Sequence, residues 1–233
     1  VAVVGFASKN NDGSGRPARN SAAVLQNGQI LATRHKSLLP TYDVFDEDRY
    51  FQPAKSVEPI EILNKKIGIT ICEDIWNDDV FIHDRSYERK PADELAATGT
   101  ELLLNLSASP WSLGKEHSRH ILLSQLSAKH GLPIVYCNLV GGNDELVFDG
   151  GSQYYNKHGV LSANATMFSE DLLIVDTEKT EPKSNNTDDD NAKIFCALSL
   201  GVKDYLHKCG FQSAVIGLSG GIDSAVPAAI AVE

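Results

Sequence analysis

The chain has 233 residues, 42% of them apolar, with 21 Lys+Arg against 31 Asp+Glu and a formal net charge of −10. That supports one medium domain, or one domain and part of another, and the scattered basic residues argue against nucleic acid as a partner. No apolar run approaches the roughly 20 residues that span a bilayer, and the four cysteines (Cys72, Cys137, Cys196, Cys209) lack the spacing of a disulfide framework or zinc site, so a soluble, cytoplasmic protein is expected.

The chain opens inside an apolar run, residues 1–6, and Met167 is the single methionine. We therefore expect a piece of a longer protein, and the run itself reads as a strand. Residues 21–26 and 29–35 flank Asn27-Gly28, the signature of a two-residue hairpin turn, which predicts an antiparallel pair. Residues 66–71 form a β-branched run expected to be a buried strand. Residues 91–98 before Gly99 read as a helix with a glycine after its end. Strands are expected at 101–107, 133–140, 151–156 and 171–175. A helix is expected over 115–130, where Ile121, Leu122, Leu126 and Ala128 recur near the helical period. Helices alternating with strands predict α/β layers.

Residues 177–192 carry no apolar anchor and read as a polar linker that cannot repay its ordering entropy. Beyond it Ile194, Ala197, Leu198, Val202, Tyr205 and Leu206 make one helical face ending at Gly210, and 213–218 reads as a strand. The expected division is a first domain over 1–176, the linker over 177–192, and the start of a second domain over 193–233, again cut short.

The chemistry-bearing residues fall in two groups. The buried strand at 66–71 ends directly at Cys72-Glu73-Asp74, and a reactive thiol needs a cation near it. His35-Lys36, closing an earlier strand, supplies the candidate. Taken alone, Cys72 reads as a structural cysteine and Lys36 as a solvated lysine. The second group is Gly217-Leu218-Ser219-Gly220-Gly221-Ile222-Asp223-Ser224, a small-residue loop between a strand and a helix. Such a turn presents backbone N–H groups to an anion, although a plain strand-to-helix turn is the simpler reading. It lacks the Gly-Lys-Ser/Thr of a Walker A loop, and Pro227 sits early in the helix that follows.

The segments HKSLLPTYDVFDEDRYF, ITICEDIW, NLSASPW and GGNDELVFDGGS resemble, in that order, the motifs of the nitrilase (C–N hydrolase) superfamily, and in particular the glutaminase domains of glutamine-dependent NAD synthetases. SGGIDS resembles the PP-loop of ATP pyrophosphatases. The resemblance implies a four-layer α-β-β-α sandwich, followed by the first helix-strand-loop-helix of a Rossmann-like PP-loop domain. It implies Cys72 as nucleophile and Lys36 as its cationic partner, with Tyr42, Glu73, Ser109 and Lys115 contacting glutamine. It places the ATP site on residues 217–224, with Mg2+ expected there and no protein metal ligand assignable. The family's general base is a glutamate upstream of the run at 1–6, so the isolated chain is expected to be inactive as a glutaminase. Glutamine, nicotinic acid adenine dinucleotide and ATP are the implied small-molecule partners, in a homo-oligomer. A stand-alone nitrilase-type amidase with an unrelated C-terminal extension is the alternative. Residues 86–93 read as a loop insertion of unassigned role.

Overall fold

The computed structural model describes residues 1–77, 87–178, 182–183 and 189–232. Strands β1 (Ala2–Lys9), β2 (Ala18–Gln26) and β3 (Gln29–His35) form an antiparallel sheet in that order. The turn between β2 and β3 holds Asn27 at φ 51° and Gly28 at φ 76°, the mirror-image turn whose twist matches a hairpin. After the short helix α1 (Glu47–Tyr50) come β4 (Ile60–Ile62) and β5 (Lys65–Ile71), then α2 (Pro91–Ala97), β6 (Leu102–Ser107), α3 (Lys115–His130) and β7 (Ile134–Asn138). The next strands are β8 (Val140–Asn143), β9 (Leu146–Asp149), β10 (Gln153–Tyr155) and β11 (Leu161–Asn164), and the described chain ends in helices α4 (Asp190–Lys208) and α5 (Ile222–Val232).

The second sheet runs β11-β10-β7-β6-β5-β4, parallel through β5, β6 and β7 and antiparallel at both edges. Strands β8 and β9 pair with each other, outside it. Two cores explain the layering. Ala22 and Val24 of β2 pack on Ile67, Ile69 and Ile71 of β5, sheet against sheet. On the opposite face Leu103, Ile134, Tyr136 and Tyr155 pack on Leu95 of α2 and on Leu122, Leu123 and Leu126 of α3. Each of the Val, Leu and Ile side chains contributes roughly 1.5–3 kcal/mol by leaving water. In β5 Ile67, Ile69 and Ile71 alternate with Gly68 and Thr70, so the isoleucines face β2 while Gly68 lies against Leu95 and Leu103 on the helix side. Helix, sheet and sheet are three layers of the α-β-β-α sandwich; the outer face of β1–β3 presents Val4, Phe6, Ile30 and Leu31 to solvent.

Helix α4 docks on the β8–β9 hairpin through glycines. A side chain at Gly142 would meet the Cα of Gly201 at 3.0 Å, so the helix approaches to backbone contact. The Gly142 N–H donates to Asp204 Oδ2 at 2.7 Å, Lys208 Nζ donates to the Gly142 carbonyl, and Lys193 Nζ pairs with Glu116 of α3 at 2.7 Å.

Several expectations are corrected. Residues 171–175 form no strand: Leu172 and Ile174 are 84% and 86% exposed, and among the described residues no strand pairs with them. Residues 213–218 likewise form none, with Val215 100% exposed. A short apolar run makes a strand only where a ladder partner exists. The run at 133–140 breaks at Leu139, where the chain leaves β7 for the β8–β9 pair. Helix α4 begins at Asp190, inside the stretch read as linker, of which 179–181 and 184–188 lie outside the described residues. In the expected insertion, residue 86 lies outside them too, and 91–93 are already the first turn of α2. Pro227 falls inside α5, which starts at Ile222, and so removes the donor that would bond the Asp223 carbonyl. Among the described residues no helix is long and apolar enough to cross a membrane.

Candidate active site

Strand β5 carries the chain to the end of its sheet, where Cys72 opens a 3-10 turn, Cys72–Ile75. Cys72 holds φ at 45°, a left-handed conformation that costs of order 1–3 kcal/mol outside glycine and persists only where the surroundings impose it. The residue as a whole is half-buried, while its thiol lies among groups that exclude water. Burial pushes the Cys72 thiol up from its ordinary value; the Lys36 ammonium and a hydrogen bond with Ser107 pull it back, and the Glu73 and Glu47 carboxylates push it further up. At rest the sulfur is a protonated thiol, with Lys36 as the cation that favours its ionisation.

Lys36 follows β3 directly. Its N–H donates to the Asn20 carbonyl at 2.8 Å and its own carbonyl accepts from Ala54 N at 2.9 Å, so the backbone is pinned on both sides. The side chain is 1% exposed and Nζ donates to Glu47 Oε1 at 2.5 Å. The solvated lysine of the isolated reading is thus a buried one. Glu47, at the start of α1, was missed by sequence reasoning, although it lies in the same quoted segment as Lys36 and Tyr42.

Glu73 is buried and accepts from Tyr42 Oη at 2.9 and 2.8 Å and from Tyr87 Oη at 3.1 Å. These hydroxyls are its hydrogen-bond compensation for lost water. Tyr87 also escaped the sequence reading, because it stands in a charged segment without periodicity. Lys115, the first residue of α3, donates from Nζ to the Pro110 carbonyl at 2.7 Å. Burial pulls its pKa down, and the Asp149 and Glu73 carboxylates, with Cys72 whenever it is ionised, raise it.

Ser109 is buried, and its N–H donates to Asn138 Oδ1 at 3.1 Å. Asn138 is oriented in turn by donating from Nδ2 to Asp149 Oδ1 at 2.9 Å and to the Gly150 carbonyl at 3.0 Å. Asp149 pairs with Arg119 of α3 through both oxygens, at 3.2 and 2.5 Å, and both side chains are 2% exposed. The loop is also stitched to β9 by Trp111 N donating to the Val147 carbonyl at 2.7 Å. No spacing signal in the sequence linked Arg119 to Asp149.

The structure thus brings Lys36, Cys72, Glu73 and Lys115 within electrostatic reach of one another, with Tyr42 bound to Glu73, and Ser109, held by Asn138, directly precedes Pro110, whose carbonyl accepts from Lys115. Residues 217–224 form a separate, largely exposed turn into α5. There Gly220 takes φ 86°, Ser219 N donates to Ser224 Oγ at 3.1 Å, and Ser224 Oγ donates to the Gly221 carbonyl at 2.9 Å. Among the described residues no group of three or more His, Cys, Asp or Glu could hold a metal ion.

Residues 1–181 match the family described as Carbon-nitrogen hydrolase, and residues 194–233 match the one described as NAD synthase. The chain is 47% identical to the glutamine-dependent NAD(+) synthetase of Synechocystis sp. over 92% of its own length and 39% of that protein's. It is 36% identical to the Thermotoga maritima protein of the same name, over 99% of the chain and 44% of the relative. Among solved structures, the glutamine-dependent NAD+ synthetase of Acinetobacter baumannii in complex with ADP superposes with a TM-score of 0.86 at 38% identity, covering 99% of this chain and 42% of that one. A carbon-nitrogen hydrolase from Helicobacter pylori G27 superposes with a TM-score of 0.61 at 25% identity, covering 72% of this chain and 59% of that one. The chain therefore spans less than half the length of the two curated relatives.

Proposed function

Because the chain belongs to the carbon-nitrogen hydrolase family, we propose that the complete protein is a glutamine-hydrolysing NAD+ synthetase. The observation that carries the reading is the convergence of Lys36, Cys72, Glu73 and Lys115 at the end of β5, in a chain whose last 40 or so residues match a second, NAD synthase family. The curated relatives bear the same activity in their names.

In this reading Cys72 Sγ attacks the side-chain amide carbon of glutamine, and the thiol proton passes by way of a glutamate base, assigned by resemblance alone, to the departing ammonia. Water then cleaves the thioester to release glutamate and the free thiol. Lys36 and a backbone N–H beside Cys72 stabilise the negative oxygen of each tetrahedral intermediate, a kind of donor worth roughly 3–4 kcal/mol in other enzymes. Tyr42, Glu73, Ser109 and Lys115 orient glutamine: Glu73 faces its α-ammonium and Lys115 its α-carboxylate. Glu47 pairs with the Lys36 ammonium and holds it in place.

The ammonia is passed to nicotinic acid adenine dinucleotide activated by ATP, giving NAD+, AMP and pyrophosphate. Residues 217–224 fit the phosphates of ATP, since the turn is exposed and Gly220 allows close backbone approach. Bound ATP supplies the leaving group; this chain's contribution there is the turn's N–H groups and the Ser219 and Ser224 hydroxyls. Mg2+, expected with the ATP, would neutralise its phosphates; among the described residues no group of three or more His, Cys, Asp or Glu could hold a metal ion by itself. We divide the chain into a glutaminase domain over 1–176 and a synthetase portion over 193–233, place the protein in the cytoplasm, and expect a homo-oligomer.

The test is isotope transfer in the complete protein supplied with Mg-ATP, nicotinic acid adenine dinucleotide and glutamine labelled with nitrogen-15 in its amide. The reading requires the label in the carboxamide of NAD+. Free labelled ammonia with no ATP consumed and no NAD+ formed would instead establish a stand-alone amidase.

A further inference from the structure

Three backbone N–H groups from two segments distant in sequence converge on the carboxylate of Asp74. Its Oδ1 accepts from Ser37 N at 2.9 Å and Leu38 N at 2.8 Å, and its Oδ2 accepts from Ile71 N at 3.0 Å. Asp74 is 3% exposed, and Ser37, Leu38 and Ile71 are buried with it. Ser37 is the residue after Lys36 and Ile71 is the residue before Cys72. One side chain therefore ties the peptide following the cation to the peptide preceding the thiol.

The tie matters because Lys36 and Cys72 arrive on different sheets. Strand β3 belongs to the three-stranded sheet and β5 to the six-stranded one, so no ladder of hydrogen bonds sets the distance between them. The apolar contact of β2 with β5 holds the sheets together but is non-directional. We propose that Asp74 is a positioning residue for the glutamine hydrolysis described above. Its carboxylate fixes the placement of Lys36 relative to Cys72 and holds the elbow at Cys72 in its left-handed conformation. The proposal rests on the hydrolytic reading of the site.

The chemistry calls for an aspartate in particular. An ionised carboxylate accepts on both oxygens, whereas an amide would turn its NH2 group against one of the three N–H donors. Burial pushes the Asp74 carboxyl up to about 6, opposed by the three N–H bonds and by the Lys36 charge. At neutral pH it is therefore ionised, with its acceptors available. Lys36 is the cation that bears on it, while its neighbour Glu73 is engaged by Tyr42 and Tyr87.

The test compares the complete protein with its Asp74→Asn variant, at saturating and limiting glutamine and with ammonium as nitrogen donor. A displacement of about 1 Å at a reacting pair costs on the order of 100-fold. The variant is expected to lose roughly that factor in glutaminase kcat, with KM for glutamine within about threefold and ammonium-supported NAD+ formation at the parent rate. A folded variant hydrolysing glutamine within about threefold of the parent kcat overturns the proposal. So does a change confined to KM. If the variant does not fold, the unaltered protein decides: kcat at saturating glutamine should fall as Asp74 protonates near pH 6, and a kcat flat down to about pH 5 overturns the proposal. If the unaltered protein does not hydrolyse glutamine at all, the hydrolytic reading fails. The alkylation rate of Cys72 by iodoacetamide, slower in the variant if Asp74 aligns Lys36 with the thiol and unchanged if it does not, then decides the role of Asp74.

Discussion

The ammonium of Lys36 lies 2.5 Å from a carboxylate oxygen of Glu47, and the two side chains are 1% and 16% exposed. Removing one partner of a buried ion pair leaves an uncompensated charge and costs about 3–5 kcal/mol. Glu47→Leu should fall at the low end, about 3 kcal/mol, because Glu47 keeps some contact with water. The variant should also lose glutamine hydrolysis through kcat. Denaturant unfolding together with steady-state kinetics checks both, and a Glu47→Leu protein of parental stability and rate would show the pair to be incidental.

The Arg119–Asp149 pair makes a separable prediction. Asp149→Asn should destabilise by about 3 kcal/mol or more, since it strands the buried guanidinium. Replacing both residues, Arg119→Met with Asp149→Leu, should restore much of the stability, because no charge is then left unpaired. The double variant should still show a raised KM for glutamine, since Asn138 loses the acceptor that aims it at Ser109. Calorimetry and glutamine titration separate the two effects.

Cys72 should alkylate slowly at neutral pH. Burial holds its thiol above the ordinary value, so the thiolate fraction rises only as pH climbs past the usual thiol range. Lys36→Met removes the cation that pulls the thiol down and should move the profile to still higher pH. The exposed Cys137, Cys196 and Cys209 serve as internal controls in the same peptide-resolved mass spectrum.

Helix α4 reaches the β8–β9 hairpin at Gly142, where a side chain would meet the Gly201 backbone at 3.0 Å. Gly142→Val should therefore separate the two, and overpacking of this kind costs typically 1–3 kcal/mol. Hydrogen exchange in residues 140–149 should accelerate by roughly 10-fold to 100-fold, as that free energy implies. Unchanged protection would mean that the docking contributes nothing to the hairpin.

Much of this was legible in the sequence where local signals were strong. The Asn27-Gly28 turn, the buried run of β5 and the helical period of α3 each follow from rules that act over a few residues. The strands of three or four residues, β4, β8, β9, β10 and β11, are too short to show a period, and 171–175 and 213–218 are apolar runs without a partner strand. In the site, Cys72, Lys36, Tyr42 and Glu73 were found because each stands in a quoted motif. Glu47 stood in one too but was passed over as one more acid in an acidic loop. Asp149, Arg119, Asn138 and Tyr87 act through pairing across the fold, and sequence separation carries no trace of that.

The most direct measurement replaces Cys72 by Ala in the complete protein and assays NAD+ formation from nicotinic acid adenine dinucleotide and Mg-ATP, with glutamine or with ammonium as donor. Loss of the glutamine-dependent reaction with the ammonium-dependent one intact is the predicted result. Glutamine-dependent NAD+ formation that survives the substitution would contradict the account, because Cys72 would then not be the nucleophile.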